Sequence, residues 1–111
     1  MNPGACFMVR AVVAAEADRA AFDRWYADEH LPDAVRMFGA RSARRGWSLT
    51  DPSVHYAIYD FADAVAMRAA TGPETLNKLV AEFDRVWGDR VTRSREMIEI
   101  AGIIPAGTIS A

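Results

Sequence analysis

The chain has two histidines, and His30 is the residue best placed by its sequence to do chemistry. It stands in Glu29-His30-Leu31-Pro32, at the expected C-terminal end of an amphipathic helix, where the helix dipole favours the protonated imidazole. Because imidazole titrates near neutral pH, a histidine held there can act as a general acid and base. Glu29 or a carboxylate from the sheet would hold the ring. The alternative is a histidine that only caps the helix.

Four further residues are candidates for a ligand pocket around His30. His55 and Tyr59 fall on one side of a predicted strand, and Trp25 and Tyr26 fall on the apolar side of the helix that leads to His30. Aromatic rings offer a ligand apolar contact, and a tyrosine hydroxyl can orient it. The competing interpretation is plain core packing, with His55 satisfied by a backbone group or a water.

The sequence predicts no metal and no cofactor. The two histidines and the single cysteine, Cys6, lie far apart, and the carboxylates near His30 do not have ligand spacing. No glycine-rich phosphate loop, nucleophile elbow or Cys-x-x-Cys pair occurs. A haem held by His30 or His55 is the one cofactor-bound alternative.

Composition indicates one globular domain over residues 1–111, with its core in 5–101. Hydrophobic residues make up 51% and charged residues 25%. A net charge of −2 argues against nucleic acid or an anionic membrane as partner, and the longest apolar run near the N-terminus, 7–15, is too short to span a bilayer. With one cysteine no intrachain disulfide can form, which fits a cytoplasmic protein.

The pattern of apolar residues predicts strands, helices and a final arm that must position these side chains. Asp18 is the expected N-cap of the first helix, which should stop or kink near His30 because Pro32 disfavours helical geometry at Leu31. A short helical turn follows over 35–38. The predicted ranges are strands 6–14, 40–48, 54–61 and 91–101, helices 18–30, 63–70 and 73–87, and an apolar C-terminal arm 102–111.

This β-α-β-β-α-β order is the ferredoxin-like α+β pattern, an antiparallel sheet with both helices on one face. Strands 6–14 and 54–61 are apolar on both sides, so they should be central, and the uncovered face needs a partner. A second copy of the chain, sheet against sheet, would cover it and make a dimeric α+β barrel. The alternative cover is the arm 102–111. Arg41, Arg44 and Arg45 are expected at a solvated rim or in interface salt bridges.

One segment of the chain resembles a known family. Phe22-Asp-Arg-Trp25-Tyr26-Ala-Asp-Glu29-His30-Leu31-Pro32 resembles the helix motif of EthD-like proteins of the dimeric α+β barrel superfamily, a Trp-aromatic-x-x-x-His followed by proline. The resemblance continues in 39–45 (GARSARR) and 56–61 (YAIYDF) and covers about residues 5–101. Some relatives carry a second histidine where this chain has Tyr26.

The resemblance implies a small homodimeric protein that acts on or binds a hydrophobic, oxygenated small molecule. Related barrels include muconolactone isomerases, polyketide cyclases, anthrone decarboxylases, cofactor-free monooxygenases and haem-degrading enzymes, and a fold alone does not choose among them. We expect cyclase, isomerase or decarboxylase chemistry without a cofactor, with His30 as proton shuttle. The alternatives are a non-catalytic binding or accessory protein and a cofactor-free monooxygenase or haem-degrading enzyme.

Overall fold

The structure, a computed structural model, describes residues 3–107 and has the predicted order of strands and helices. A π-helical turn links the first two helices, and a 3-10 turn precedes the last strand. The strands are β1 (Ala5–Val13), β2 (Ser42–Trp47), β3 (Val54–Phe61) and β4 (Val91–Glu99); the helices are α1 (Glu16–Trp25), α2 (Leu31–Phe38), α3 (Ala64–Ala70) and α4 (Pro73–Val86); the two turns are Tyr26–His30 and Gly88–Arg90.

The four strands form one antiparallel sheet in the order β2-β3-β1-β4, so β1 and β3 are central, as the sequence predicts. Phe7 of β1 lies opposite Tyr59 of β3 and Met97 of β4. Directly opposed residues point to the same side of a sheet. That side, which we call the inner face, is the one the helices cover.

The core lies between the inner face and the helices. Phe7 and Tyr59 are buried from the sheet side, and Phe22 of α1 and Phe83 of α4 are buried from the helix side. Phe22 packs on Phe83 with ring centroids 6.0 Å apart. The helix predicted over 73–87 packs on this core, where Leu79 and Phe83 are buried.

Of the two outcomes predicted near His30, a stop or a kink, the helix does not stop, and the irregularity is a π turn. α1, the π turn and α2 run without a break from residue 16 to residue 38. Within the π turn the amide of Leu31 donates to the carbonyl of Tyr26, five residues back. The wider turn leaves room for the ring of Pro32, which in a regular α-helix would clash with the carbonyl four residues earlier. The segment ends at Gly39, whose φ of 63° is the left-handed geometry that glycine adopts without strain.

The expected N-cap is also wrong. The helix begins at Glu16, with Ala15 in the cap position and no side-chain cap hydrogen bond. Asp18 lies in the first turn, where its negative charge interacts favourably with the helix dipole, and it pairs with Arg90 at 3.3 Å.

The outer face of the sheet carries a group of apolar side chains alongside charged ones and is uncovered by the described chain. Met8, Val12, Tyr56 and Ile58 are half-buried there. Residues 102–107 of the expected arm are exposed and leave this face open, and residues 108–111 lie outside the described residues. Within 3–107, no helix combines the length and the apolar character needed to cross a bilayer.

Candidate functional site

A cleft opens between the inner face, α4 and the π turn with α2; we call it the His30 cleft. It holds about 320 Å³ of unfilled space including its mouth, of which about 20 Å³ can take the centre of a water molecule. A larger ligand therefore requires side chains at the mouth to move aside. The lining residues are Phe7, Val9, Tyr26, His30, Ala34, Phe38, Tyr59, Leu76, Leu79, Val80, Phe83, Arg93 and Arg95.

The π turn places His30 on the wall of this cleft. In an α-helix each residue advances about 100°, which would put Glu29 inward and His30 at the margin. Each residue of the wider π turn advances less. His30 therefore turns inward and is only 8% exposed, while Glu29 points to solvent and does not hold the imidazole.

Aromatic rings surround the imidazole of His30. It stacks on Trp25 with centroids 4.6 Å apart and an interplanar angle of 19°. Tyr26 and Phe83 meet it edge-on at 4.9 Å and 5.6 Å. Its Nδ1 is buried and has no hydrogen-bond partner within residues 3–107.

The imidazole of His30 is neutral at physiological pH. Burial, and after it the nearby charge of Arg93, lowers its pKa to about 4. The expectation that the helix end favours the protonated ring is wrong, because the helix continues past His30 and desolvation dominates. A neutral imidazole has a free lone pair and can accept a proton.

Two tyrosine hydroxyls meet inside the cleft. The side chains of Tyr26 and Tyr59 interact with each other there. Burial raises the pKa of Tyr26 to about 12 and raises the pKa of Tyr59 as well, so both phenols stay protonated. They can donate hydrogen bonds to an oxygen on a ligand but are not bases near pH 7.

Two arginines of β4 supply positive charge to the cleft. Arg93 lies over the ring of Phe83 at 3.8 Å and pairs with Asp84 at 2.6 Å. Arg95 lines the cleft two residues further along the strand and is exposed. Neither arginine was predicted as a site residue. Both lie on the same side of β4 as the apolar Val91, which is opposite Val13 of β1, and that alternation is the signal that would have placed them on the inner face.

Trp25 and His55 do not line the cleft but lie one layer behind it. His55 is fully buried, with its ring centroid 4.5 Å from that of Tyr26 and 5.2 Å from that of Phe22. Burial lowers its pKa to about 4. Its Nδ1 has no partner among the described residues.

Arg45 contacts this second layer and is not the solvated rim residue that its sequence position suggested. Its guanidinium donates to Asp23 at 2.8 Å and lies 3.4 Å from Nε2 of His55. Trp47 donates to the same carboxylate oxygen at 2.8 Å. These bonds hold the pKa of Asp23 below its usual value. The inner face extends onto edge strand β2, so Arg45 turns inward there.

The described residues contain no group of three or more histidine, cysteine, aspartate or glutamate side chains placed to hold a metal ion. His30 and His55 both have aromatic neighbours in place of carboxylates. The chemistry available in the cleft is therefore that of an imidazole base, two phenols and two guanidinium groups.

Solved structures with the same fold come from small bacterial proteins. An ethyl tert-butyl ether D (EthD) family protein of Bacillus halodurans aligns with a TM-score of 0.61 and 15% identity, over 83% of this chain and 96% of that one. SnoaB, a cofactor-independent oxygenase of Streptomyces nogalater, aligns with a TM-score of 0.65 and 18% identity, over 95% and 99%. A candidate antibiotic biosynthesis monooxygenase of Deinococcus radiodurans aligns with a TM-score of 0.64 and 14% identity, over 90% and 96%.

These structural likenesses confirm the ferredoxin-like α+β fold, and an EthD family protein is among the neighbours, in line with the resemblance in the sequence. No protein-family model matches the chain, and no curated protein matches it. At such low sequence identity the likeness extends to the fold, and function has to be argued from the cleft.

Proposed function

We propose that the protein is a small enzyme that needs no cofactor and transfers protons on a hydrophobic, oxygenated small molecule bound in the His30 cleft. The observation that carries the proposal is a buried, neutral imidazole on the wall of an apolar cleft, with a guanidinium from β4 beside it. Perturbed titratable groups that line a concave apolar site are the usual mark of an active site.

In the first step the imidazole of His30 accepts a proton from an acidic C–H or O–H of the ligand, and the electron pair of the broken bond stays on the ligand as an enolate or phenolate. The imidazolium then returns the proton to another ligand atom. An imidazole with a pKa of about 4 is a weak base, so the anion must be stabilised for the step to proceed.

Arg93 and the tyrosine pair supply that stabilisation. The guanidinium of Arg93 is mostly buried, with its side chain 14% exposed, and Asp84 and the ring of Phe83 fix its position. A preorganised charge in a water-poor site stabilises a developing oxyanion more than the same charge in water would. The hydroxyls of Tyr26 and Tyr59 are placed to donate hydrogen bonds to that oxygen.

The outer face takes part by binding a second copy of the chain. Its half-buried apolar side chains are left uncovered by residues 3–107, and strands that are apolar on both sides need a cover. Sheet-to-sheet pairing about a two-fold axis buries the same surface from both copies. We propose a homodimer of this kind, with one His30 cleft in each protomer.

A cofactor-free oxygenase is the second candidate, favoured by the aromatic walls around His30. In this reaction the ligand anion donates electrons to molecular oxygen, a C–O bond forms, and the ligand is oxidised as oxygen is reduced. Water-excluding aromatic walls would protect such a carbanion from simple reprotonation. Uptake of molecular oxygen with a polycyclic phenol or hydroquinone separates this candidate from the first.

Solvent exchange into an enolisable aromatic ketone tests the proposal directly. We expect the wild type to accelerate exchange of deuterium from heavy water into the α-position of 2-tetralone, and His30→Gln to lose at least about 90% of that acceleration. His55→Gln is the matched control, since it removes the other buried histidine one layer behind the cleft, and it should retain the activity.

Exchange that survives in His30→Gln would overturn the role of His30. If exchange is absent while binding of the ketone is unaffected by His30→Gln, the protein is a binding or accessory protein. Thermal melts of each variant show that the fold is intact in the comparison.

A further inference from the structure

The charge at the mouth of the His30 cleft identifies one property of its ligand. We infer that the ligand carries an anionic group that Arg95, together with Arg93, holds at the mouth while its apolar body lies inside. This inference rests on the proposed function only in using the same cleft. It assigns the ligand to the class of aromatic or polycyclic acids. The proposed function by itself requires only a ligand with a transferable proton, not an acid group.

The lining of the cleft is one-sided in charge. It includes two arginines and no carboxylate, although the whole chain carries a net charge of −2. Arg93 lies opposite Ala11 and Arg95 opposite Val9 across the β1–β4 ladder, so both guanidinium groups stand on the inner face two residues apart. Burial, and after it the charge of Arg95, lowers the pKa of Arg93, so the two cations lie close enough to repel each other.

Three acidic side chains near the cleft, Asp84, Glu82 and Asp33, are already paired. Asp84 binds Arg93 at 2.6 Å, and two helical pairs, Glu82 with Arg85 at 2.6 Å and Asp33 with Arg36 at 2.7 Å, occupy the others. The Glu82–Arg85 and Asp33–Arg36 pairs are exposed and each lies within one helix turn. They leave the positive charge at the mouth of the cleft in place. Glu96, the next residue of β4 after Arg95, points to the outer face opposite Met8.

Arg95 is the cation left for a ligand. Within residues 3–107 its guanidinium forms no ion pair and no side-chain hydrogen bond, while it lines the cleft. A planar guanidinium presents two parallel donors that fit the two oxygens of a carboxylate. The interior behind it is apolar and aromatic, with Phe7, Phe38 and Phe83 on the walls. An aromatic carboxylate satisfies both parts of this surface.

The buried imidazole lies deeper than the arginines and is the second polar contact for such a ligand. His30 is more than nine-tenths buried, and its Nδ1 lacks a partner among the described residues. An acid whose aromatic ring bears a hydroxyl or an enolisable carbon would put the carboxylate against Arg95 and the reacting proton toward His30. Arg95 and the neutral imidazole of His30 therefore set the orientation of the ligand as well as its affinity.

A matched pair of probes tests the inference without any turnover. We use 3-hydroxy-2-naphthoate and its methyl ester, which share a ring system and differ in charge, and measure binding by fluorescence titration. The full-length wild type should bind the acid at least about tenfold more tightly than the ester, as a charge-assisted hydrogen bond predicts. Raising the salt concentration should weaken binding of the acid and leave binding of the ester nearly unchanged.

Arg95→Ala should remove the preference for the acid, and Arg95→Lys should restore part of it. Arg68→Ala is the matched control, because Arg68 is an exposed arginine on α3 outside the cleft lining, and the preference should persist there. Equal affinity of the wild type for acid and ester overturns the inference, and so does a loss of preference in Arg68→Ala equal to that in Arg95→Ala. Failure of the acid to bind at about 1 mM overturns it as well.

Failure of this inference is distinguishable from failure of the proposed function. Deuterium exchange that depends on His30 alongside equal binding of the two probes would keep the enzyme and discard the anionic ligand. A preference for the acid without any exchange would keep the anion site and leave the protein a binding module.

Discussion

The indole of Trp25 lies almost parallel to the imidazole of His30, with centroids 4.6 Å apart. No described residue hydrogen-bonds Nδ1 of His30, so ring stacking does the positioning that a carboxylate does for many basic histidines. Cation–π attraction to the indole would favour the imidazolium by about 1 kcal/mol. Burial outweighs it, since the pKa of His30 is lowered to about 4. The ring is thus held in place without being charged.

Replacing Trp25 should disturb turnover more than binding. We expect Trp25→Leu to lower kcat for deuterium exchange at least about tenfold, because the imidazole loses its orientation, with a smaller change in KM. Trp25→Phe keeps an aromatic face and should recover most of the rate. Steady-state kinetics of the two variants, beside their thermal melts, distinguish a positioning role from loss of the fold; equal rates in both variants would dismiss the stacking argument.

The rate of deuterium exchange should fall at acidic pH and at no other pH between about 4 and 8. His30 must be unprotonated to accept a proton, and its pKa in the folded protein is about 4. We expect a rate that is level between about pH 6 and 8 and declines below about pH 5. A pH–rate profile on the wild type checks this. A rate that rises as the pH falls through 6.5 would mean that the charged imidazole is the active form.

The free energy of unfolding should also decrease as the pH falls. Burial lowers the pKa of His30 and of His55 from 6.5 to about 4, so between those values the unfolded chain binds more protons than the folded one. The stabilisation is complete above pH 6.5 and is lost as the pH falls toward 4, on the order of 2 to 3 kcal/mol for each histidine. Urea unfolding at pH 7 and pH 5 measures the loss. In His30→Gln, a loss as large as that of the wild type would contradict the neutral, buried state of His30.

Phe83 should be a main support of the helix layer. It is 1% exposed and packs on Phe22, Trp25 and His30. We expect Phe83→Ala to lower the free energy of unfolding by about 3 to 5 kcal/mol, since it leaves a cavity in the core. Denaturant melts give the value. A loss under about 1 kcal/mol would show that the wall rearranges to fill the space.

The outer face should behave as a dimer interface. Ile58 is half-buried there in the single chain, at the centre of the sheet. We expect the wild type to sediment as a dimer at micromolar concentration, with at least about 1,200 Å² buried, and Ile58→Glu to sediment as a monomer. Val65→Glu on the exposed surface of α3 is the control and should leave the dimer intact. A wild-type monomer of 12.2 kDa would refute the interface.

The strands and their order could be predicted from the sequence because each carries its own signal. The apolar residues on both sides of 6–14 and 54–61 marked these strands as central, and Asp63 caps α3, accepting a hydrogen bond from the amide of Ala66 at 2.7 Å. Such features depend on short-range pattern and local geometry, which a single sequence displays directly.

The candidate site was less predictable because it depends on the phase of one helix and on tertiary neighbours. Pro32 correctly marked an irregularity but gave no sign that the chain would absorb it in a wide turn. The protonation state of His30 follows from burial among Trp25 and Phe83, and helix position alone suggested the opposite. Arg93 was unrecognised because the alternation of β4 is polar on both sides.

The π turn also accommodates one extra residue in the helix. The residues after it therefore face the core one position later in the sequence than they would in a regular α-helix. At about 100° per residue, Ala34 and Phe38 would lie about 120° and 160° around a regular helix from Phe22, yet all three are buried on one side. If the same residues formed a regular α-helix, the face after the turn would rotate by about 100° toward solvent, whereas deleting one residue from 26–30 would close the wide turn and leave both faces in phase. A sequence that forms a regular helix, if aligned to this one without a gap here, would be out of register by one residue over the second half of the helix. The extra residue, not its identity, is what lets one helix serve both the core and the cleft.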